Sequence, residues 1–419
     1  MSPPSANTQA VLLLTSPLLQ EGGKASGKDP VLTAAEYAQL AACLQKEQHQ
    51  PADLINGSRD TLLDSLASAF AAERLNHLLA RGFQLSQAVE HWANRSISVI
   101  GRADATYPRR FKQRLRRNAP PLLYACGNLE LLNSPALAVV GSRSTPEPLL
   151  RQAEAVGALA AAASVVIASG AAKGVDETAM LGSLAAGGCA IGVVADSLEK
   201  VSARPLWRQS LLEGRLLLLS SEAPSARFQV WRAMDRNKLI YALADAALVV
   251  SSAKSEGGTW AGAIEQLQKF HFSPLHVLSD PRGGAGLPAL IEMGARPWPE
   301  PDSPQDLQAL LRGPEPSPAT APATTPEQVE QGSLLASAPT EPPVARNQQG
   351  GLPPAAALAA FVDDLLLGCL EQPHSIDELA ELLDVSKAEV KRWCLRLVKQ
   401  GKVRKLIKPV RFVRQSSSF

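Results

Sequence analysis

The chain has 419 residues, 45% hydrophobic and 20% charged, and its 42 Lys and Arg residues against 40 Asp and Glu residues leave a formal net charge of +2. This length suggests about two to four domains, large enough to be stable without disulfides or structural metals. The five cysteines stand singly without a CxxC pair, which argues against zinc and a disulfide framework and is typical of a cytoplasmic protein. No segment reaches the ~20 consecutive apolar residues of a membrane span, so we expect no membrane partner.

Residues 1–94 are predicted to form a helical domain. Thr33 precedes an apolar-periodic run from Tyr37 to Leu44, and Thr61 to Leu79 repeats apolar residues at three- and four-residue spacing. The alternative is an N-terminal extension that packs on the main sheet. The apolar run from Val11 to Leu14 is short and has no basic region before it, so we predict a core helix or strand rather than a signal peptide.

Residues 95–312 are predicted to form a Rossmann-like α/β domain with a doubly wound, mostly parallel sheet. Short apolar runs alternate here with helical stretches, which is typical of βαβ units. The predicted strands are Ile97–Ile100, Leu122–Ala125, Leu137–Val140, Val165–Ala168, Ala190–Val194, Arg215–Leu219, Ala247–Ser251 and Leu275–Leu278.

The last part of the chain is predicted to be a linker followed by a small domain. Residues 313–355 are rich in Pro, Ala, Thr, Ser and Gln and indicate a flexible linker. Within residues 356–419 we predict a helix from Phe361 to Leu370 and capping boxes at Ser375 with Glu378 and at Ser386 with Glu389. A ribbon after Gly401 completes the pattern of a winged helix.

Two successive predicted strands end at glycine-containing loops that each carry a cation. The first loop is Gly141-Ser142-Arg143, and the second is Ser169-Gly170-Ala171-Ala172-Lys173-Gly174. Loop amides and helix N-termini at strand ends favour an anion, so these loops predict a phosphate-binding rim. The second loop matches neither the P-loop nor the GxGxxG spacing. We predict that Asp176 caps the helix that follows.

A basic stretch with aromatic residues follows later in the central domain. Arg236-Asn237-Lys238 opens a helical run, and Phe228 and Trp231 lie among the cations that precede it. Cations with aromatic rings are typical of single-stranded nucleic-acid binding. The alternative is a solvated basic face with two buried aromatics.

The C-terminal segment is strongly basic, since Glu389 is its only acid between Lys387 and Arg414. This asymmetry indicates auxiliary contact with duplex DNA phosphates. The alternative is a protein-interaction module. The predicted auxiliary DNA-binding residues are Lys391, Arg392, Arg396, Arg404 and Lys405.

The order of short motifs resembles the DprA family of DNA-processing proteins, also called Smf. These motifs are the GSR that ends at Arg143, the SGxAxGxD of Ser169 to Asp176, Ser221-Glu222-x-Pro224, RNKxI up to Ile240, LIxxGA from Leu290 to Ala295, Tyr107-Pro108 and PPLLYACGN from Pro120. The chain departs from the family pattern at Met180, at Lys238 and near Gly257-Gly258, and so resembles a divergent member.

The resemblance implies a non-catalytic protein that binds and protects single-stranded DNA during natural transformation and recombination. It also implies a homodimer, a RecA recombinase partner, and no cofactor or metal. The implied phosphate and DNA site comprises Gly141, Ser142, Arg143, Ser169, Gly170, Lys173, Gly174, Arg236, Asn237 and Lys238.

An enzymatic alternative comes from the same superfamily, which includes phosphoribohydrolases with a PGGxGTxxE motif. Here the corresponding stretch reads GGTWAGAIE, which lacks the second glycine-threonine pair and places Glu265 one position too far along. A nucleotide-binding or nucleotide-hydrolysing protein is therefore the second hypothesis.

Overall fold

The computed structural model describes residues 3–18, 30–56, 59–67, 69–312, 367, 369–370, 373–382, 387–407 and 410–414. The chain divides into two compact units, Met1–Ser317 and Pro318–Phe419. The predicted linker over residues 313–355 lies outside the described residues.

A nine-stranded sheet forms the centre of the first unit. Its strands are β1 (Ile97–Gly101), β2 (Leu122–Gly127), β3 (Ala136–Val140), β4 (Val166–Ser169), β5 (Ala190–Val193), β6 (Leu216–Ser220), β7 (Ala246–Val249), β8 (Leu275–Val277) and β9 (Arg296–Pro297). Their order is β1-β2-β6-β5-β4-β3-β7-β8-β9. Pairing is antiparallel between β1 and β2 and between β2 and β6, and parallel elsewhere. The predicted α/β class with a mostly parallel sheet is confirmed.

The predicted strands are all present, with ends that differ by no more than two residues. They were predictable because β3 and its parallel neighbours are apolar and fully buried, as expected for strands covered on both faces. The sequence did not predict β9, which has only two residues. The chain winds from β3 through β4 and β5 to β6, and β7 then pairs with the other side of β3. The C-terminal ends of β3 and β7 therefore flank the point where the winding reverses.

Helices connect these strands and also form the part of the unit that precedes β1. They are α1 (Ala6–Thr15), α2 (Ala34–Lys46), α3 (Arg59–Leu66), α4 (Ala72–Leu79), α5 (Gly82–Ala93), α6 (Arg109–Leu115), α7 (Glu147–Ala162), α8 (Val175–Ala185), α9 (Leu198–Ser202), α10 (Pro205–Leu212), α11 (Val230–Leu243), α12 (Gly257–Glu265), α13 (Gly286–Glu292) and α14 (Pro304–Arg312). Among the described helices of either unit, none is long and apolar enough to cross a bilayer.

The N-terminal helices share one apolar core with the sheet. The run from Val11 to Leu14 is buried within α1, which confirms the predicted core element. The Tyr124 hydroxyl of β2 donates to Ser16 Oγ at 3.1 Å, and the ring of Trp92 packs edge-on against Tyr124 at 5.3 Å. The predicted domain boundary at residue 94 stays a prediction.

Two arginines of α6 hold the C-terminal end of α11. Arg114 Nη1 donates to the carbonyl oxygens of Ala242 at 3.0 Å and Ala244 at 2.6 Å. Arg110 pairs at 3.0 Å with Asp245, whose carboxylate also accepts the Ala136 amide at 3.0 Å. These contacts satisfy carbonyls that a helix end leaves open, and they fix α11 at the starts of β3 and β7.

Replacing Arg114 by alanine should lower the free energy of unfolding by about 2 kcal/mol, because hydrogen bonds from a charged donor contribute about 1.5–3 kcal/mol. Urea denaturation measures the change. Arg117→Ala is the matched control, since Arg117 is exposed on the same segment and should change stability by no more than about 0.5 kcal/mol. Equal effects of the two variants would contradict the role given to Arg114.

The second unit contains two helices and a ribbon among its described residues. The helices are Ile376–Leu382 and Lys387–Lys399, and the ribbon pairs β10 (Val403–Ile407) with β11 (Val410–Arg414) in antiparallel fashion. Leu370, Leu379, Val390, Cys394, Leu397 and Val403 form its buried apolar cluster.

The predicted capping box at Ser375 is confirmed. The Glu378 amide donates to Ser375 Oγ at 3.2 Å, and the Ser375 amide donates to Glu378 Oε2 at 2.8 Å. The predicted box of Ser386 with Glu389 and most of the predicted helix from Phe361 lie outside the described residues. The winged-helix assignment stays a prediction.

Candidate nucleic-acid interface

The two glycine-containing loops are in direct contact at the C-terminal edge of the parallel sheet, where β3 and β4 are neighbours. Gly174 has a φ of +98°, and a Cβ at this position would lie 2.7 Å from the Ser142 carbonyl oxygen and 2.8 Å from that of Arg143. Only glycine accommodates both this backbone conformation and this approach. The loop that carries Lys173 therefore packs on the backbone of the loop that carries Arg143.

The first loop is also tied to the end of β7. The Ser142 amide donates to Ser251 Oγ at 3.0 Å and to the Ser251 carbonyl oxygen at 3.2 Å. The Thr145 hydroxyl donates to the Ser142 carbonyl at 2.8 Å and lies 2.7 Å from Ser251 Oγ. These contacts hold the Ser142 loop between the ends of β4 and β7. Ser251 was not predicted as a site residue, although a serine at a predicted strand end was a usable signal.

Arg143 and Lys173 have exposed side chains. The Arg143 guanidinium lies over the ring of Phe228, 5.3 Å from its centroid, in a cation–π arrangement. Phe228 is held in turn by its amide, which donates to the Asp196 carboxylate at 3.1 Å. The two adjacent loops thus present a guanidinium and an ammonium at one end of the sheet.

Asp176 lies beneath this rim as the second residue of α8. The prediction that it caps α8 is wrong, because the N-cap position belongs to Gly174 and no side chain caps this helix. Asp176 is only 7% exposed. Burial raises the pKa of its carboxyl to about 6, while the Arg236 guanidinium, the Gly141 and Gly170 amides and the Ser169 hydroxyl oppose that rise.

Arg236 reaches from α11 to the ends of β4 and β5. Its Nη1 donates to the Val193 carbonyl oxygen at 2.5 Å, and its Nε is buried without a hydrogen-bond partner. A Cβ on Gly170 would collide with both Arg236 Nη1 and Asp176 Oδ2, so these charged groups lie on the same side of Gly170. Burial lowers the pKa of Arg236, the Asp176 charge raises it and the Arg143 charge lowers it.

The other two residues of the Arg236-Asn237-Lys238 motif point elsewhere, because successive helical residues are ~100° apart. Asn237 Nδ2 donates to the Gly258 carbonyl oxygen at 2.9 Å and links α11 to α12. Lys238 forms an ion pair with Asp235 and acts electrostatically on Glu222. Of the three, only Arg236 contacts the second loop.

The start of α11 carries an exposed aromatic ring beside an arginine that is paired with a glutamate. Trp231 is 46% exposed, and the Arg232 guanidinium lies 5.1 Å from its ring centroid. Arg232 Nε also lies 2.8 Å from Glu222 Oε2. The alternative of a solvated basic face with two buried aromatics therefore does not describe Trp231.

The predicted auxiliary residues lie on the helix Lys387–Lys399 and on β10. Lys391 and Arg404 are exposed, and Arg396 is half-buried. The side chains of Arg392 and Lys405 lie outside the described residues.

The enzymatic hypothesis depends on Glu265, the last residue of α12. Its carboxylate lies 3.4 Å from Lys269 Nζ in an exposed ion pair. Across the described ranges, no group of three or more His, Cys, Asp and Glu side chains is placed to hold a metal ion.

A mostly parallel α/β sheet whose strand ends present cations and backbone amides defines a class of anion-binding protein. The family model of the DNA recombination-mediator protein A matches residues 98–305. The predicted resemblance to that family is therefore confirmed over this central domain. Two bacterial relatives support this. The DNA processing protein DprA of Streptococcus pneumoniae is 29% identical over 248 residues, which cover 58% of this chain and 85% of that protein. That of Bacillus subtilis is 27% identical over 220 residues, which cover 51% and 72%.

Solved structures of DprA proteins are also similar. The crystal structure of DprA from Streptococcus pneumoniae matches with 22% identity and a TM-score of 0.48, over 66% of this chain and 97% of that one. A structure of DprA from Helicobacter pylori, described for its single-stranded DNA binding mode, matches with 25% identity and a TM-score of 0.41, over 48% and 90%.

Proposed function

We propose that this protein binds single-stranded DNA without sequence preference, protects incoming strands and helps to load RecA recombinase during natural transformation and recombination. The match of residues 98–305 to the family of the DNA recombination-mediator protein A supports the proposal. The observation that carries it is the contact of Gly174 with the backbone of Ser142 and Arg143, because it joins two cation-bearing loops into one rim.

In this proposal the rim binds backbone phosphates non-covalently. Arg143 contributes a forked set of donors that matches phosphate oxygens, and Lys173 contributes a compact positive charge. Glycines and hydroxyls of the loops allow close approach of the strand, and α11 extends the track. The proposed contact surface comprises Gly141, Ser142, Arg143, Ser169, Gly170, Lys173 and Gly174. Of the predicted α11 residues, Arg236 lies against Gly170 at the inner side of this surface, whereas Asn237 and Lys238 contact Gly258 and Asp235 instead.

Trp231 supports a single strand as the ligand. Its exposed ring lies on α11, the helix that also carries Arg236. Unpaired bases stack on such rings, whereas bases inside a duplex present no free face to them. We propose that Trp231 stacks a base of the bound strand.

The C-terminal unit is proposed to contact duplex DNA in an auxiliary way. Lys391 and Arg404 are exposed on adjacent elements of this small unit. Contacts of this kind are electrostatic and carry no sequence information.

The protein is further proposed to act as a homodimer without catalysis or a cofactor. The ion pair of Glu265 with Lys269 supports a surface role for this carboxylate rather than that of a general base. A nucleotide-release assay tests the enzymatic alternative. Turnover that Glu265→Gln abolishes would establish that alternative and refute the non-catalytic assignment.

Binding of fluorescent oligo-dT and of a duplex of equal length, measured by anisotropy, tests the proposed function. We expect tighter binding of the single strand, and an affinity that falls at least about tenfold between ~50 and ~200 mM salt because bound phosphates release counterions. Addition of RecA to the single-strand complex should accelerate RecA filament formation. Preference for the duplex, or binding insensitive to salt, would refute the proposal.

A further inference from the structure

A buried carboxylate and a half-buried arginine, whose Nε is itself buried, lie directly beneath the rim. Asp176 starts α8 and Arg236 comes from α11, and both lie against the backbone of Gly170. Arg236 was predicted to contact phosphate directly, but the Asp176 carboxylate lies beside it at Gly170. The pair therefore bears on how much positive charge the rim presents.

The groups around Asp176 are those that a bound phosphate would use. They are the amides of Gly141 and Gly170 and the Arg236 guanidinium, whereas the Ser169 hydroxyl donates to the Val139 carbonyl oxygen at 2.5 Å. Amides at strand ends and an arginine are typical ligands of phosphate oxygens. The Asp176 carboxylate thus takes the place of an anion within the protein itself.

The consequence concerns charge. With Asp176 ionised, the positive charge of Arg236 is compensated, and the rim presents the exposed side chains of Arg143 and Lys173. Arg143 lies close enough to Arg236 for its charge to lower the pKa of Arg236. Loss of the Asp176 charge therefore raises the positive potential at the same rim.

We infer that Asp176 is a positioning residue that sets the charge of the rim: it occupies the inner amide site as a built-in anion, neutralises Arg236 and so confines DNA phosphates to Arg143 and Lys173. This inference rests on the proposed binding of single-stranded DNA. It assigns Arg236 an indirect role, as the partner of Asp176 rather than as a phosphate ligand.

The titration of Asp176 also predicts how the affinity for oligo-dT changes with pH. The titratable groups that face Asp176 are Arg236 and Tyr241 of α11, with Arg143 beyond Arg236. Because burial raises the carboxyl pKa to about 6, a fall in pH through this value protonates Asp176 and leaves Arg236 uncompensated. Affinity for oligo-dT should therefore rise as the pH falls, beyond the change that protonation of other groups causes.

Oligo-dT affinity of the full chain at about pH 7.5 and about pH 5.5, at constant ionic strength, tests this inference. Asp176→Asn should bind roughly three- to tenfold tighter than wild type at the higher pH and should lose the pH dependence. Asp245→Asn is the matched control. It neutralises an aspartate paired with Arg110 at the opposite edge of the sheet and should change neither affinity nor pH dependence.

A second pair of variants separates the two roles of Arg236. Arg236→Gln should weaken binding because Asp176 then stands uncompensated, and adding Asp176→Asn should restore most of the loss. A double variant that stays as weak as Arg236→Gln would show that Arg236 binds phosphate directly and would overturn the inference. This double variant lacks both charges, so it stays informative if Asp176→Asn alone fails to fold.

The outcomes separate the inference from the function on which it rests. Failure of the wild type to bind oligo-dT would refute the proposed function. Normal wild-type binding that Arg143→Ala weakens, together with unchanged affinity and pH dependence in Asp176→Asn, would refute only the role of Asp176.

Discussion

Replacing both Arg143 and Lys173 by alanine is expected to weaken oligo-dT binding by at least about a hundredfold. Each charge-assisted contact with a phosphate contributes about 1.5–3 kcal/mol, which corresponds to roughly 10- to 100-fold in affinity. Both side chains are exposed on loops whose backbones touch, so one strand can contact both. Anisotropy titration of the single and double variants measures the effect.

The controls for this experiment are cations of the same unit that lie on other elements. Arg208 is exposed on α10, and Lys269 is exposed where it pairs with Glu265. Arg208→Ala and Lys269→Ala together remove the same net charge as the test variant and should change affinity by no more than about twofold, since exposed charges beyond ~10 Å are screened. Equal losses in both double variants would indicate a general charge effect and would refute the rim.

Gly174→Ala is expected to destabilise the protein by about 2–5 kcal/mol and to weaken oligo-dT binding at least about tenfold. A positive φ costs a residue with a Cβ ~1–2 kcal/mol, and forcing an added methyl against packed atoms costs ~1–3 kcal/mol more. The added Cβ meets backbone atoms of Ser142 and Arg143, which cannot rotate away. The two loops must therefore move apart, which also moves Arg143 away from Lys173.

Gly187 offers a matched control for Gly174. It also has a positive φ, +81°, but a Cβ there would have no atom within 4 Å. Gly187→Ala should therefore show the conformational cost alone, ~1–2 kcal/mol, with unchanged oligo-dT affinity. Urea denaturation and anisotropy on both variants give the comparison. Equal destabilisation and equal affinity would mean that the loop contact contributes nothing.

Both predictions concern a site whose outline was visible in the sequence. Glycine-containing loops with Arg143 and Lys173 follow directly after apolar runs, and local periodicity is enough to recognise such strand–loop–helix units. Their adjacency also followed from the sequence, because strands joined by one helix in a parallel sheet are usually neighbours. The charge pair beneath them was not predictable in the same way.

Asp176 illustrates why. Its position two residues after Gly174 matched a capping residue, but a capping residue must directly precede the first helical residue, and α8 begins at Val175, two residues too early for Asp176. Arg236, whose charge acts on Asp176 across Gly170, lies 60 residues further along the chain and comes near it only because α11 crosses the ends of β4 and β5. The same helical phase directs Asn237 towards α12 and Lys238 towards Asp235.

By itself, the amino-acid sequence determined the α/β class, eight of the nine strands of the sheet, the family resemblance and the two cation-bearing loops of this protein. These properties depend on residues close together in the chain, whose pattern of apolar, glycine and charged positions reflects local backbone geometry. Only the tertiary structure decided which charges stay exposed and which are compensated. Compensation depends on burial and on side-chain directions from distant elements, such as Arg236 of α11 against Asp176 of α8, and no local pattern encodes these.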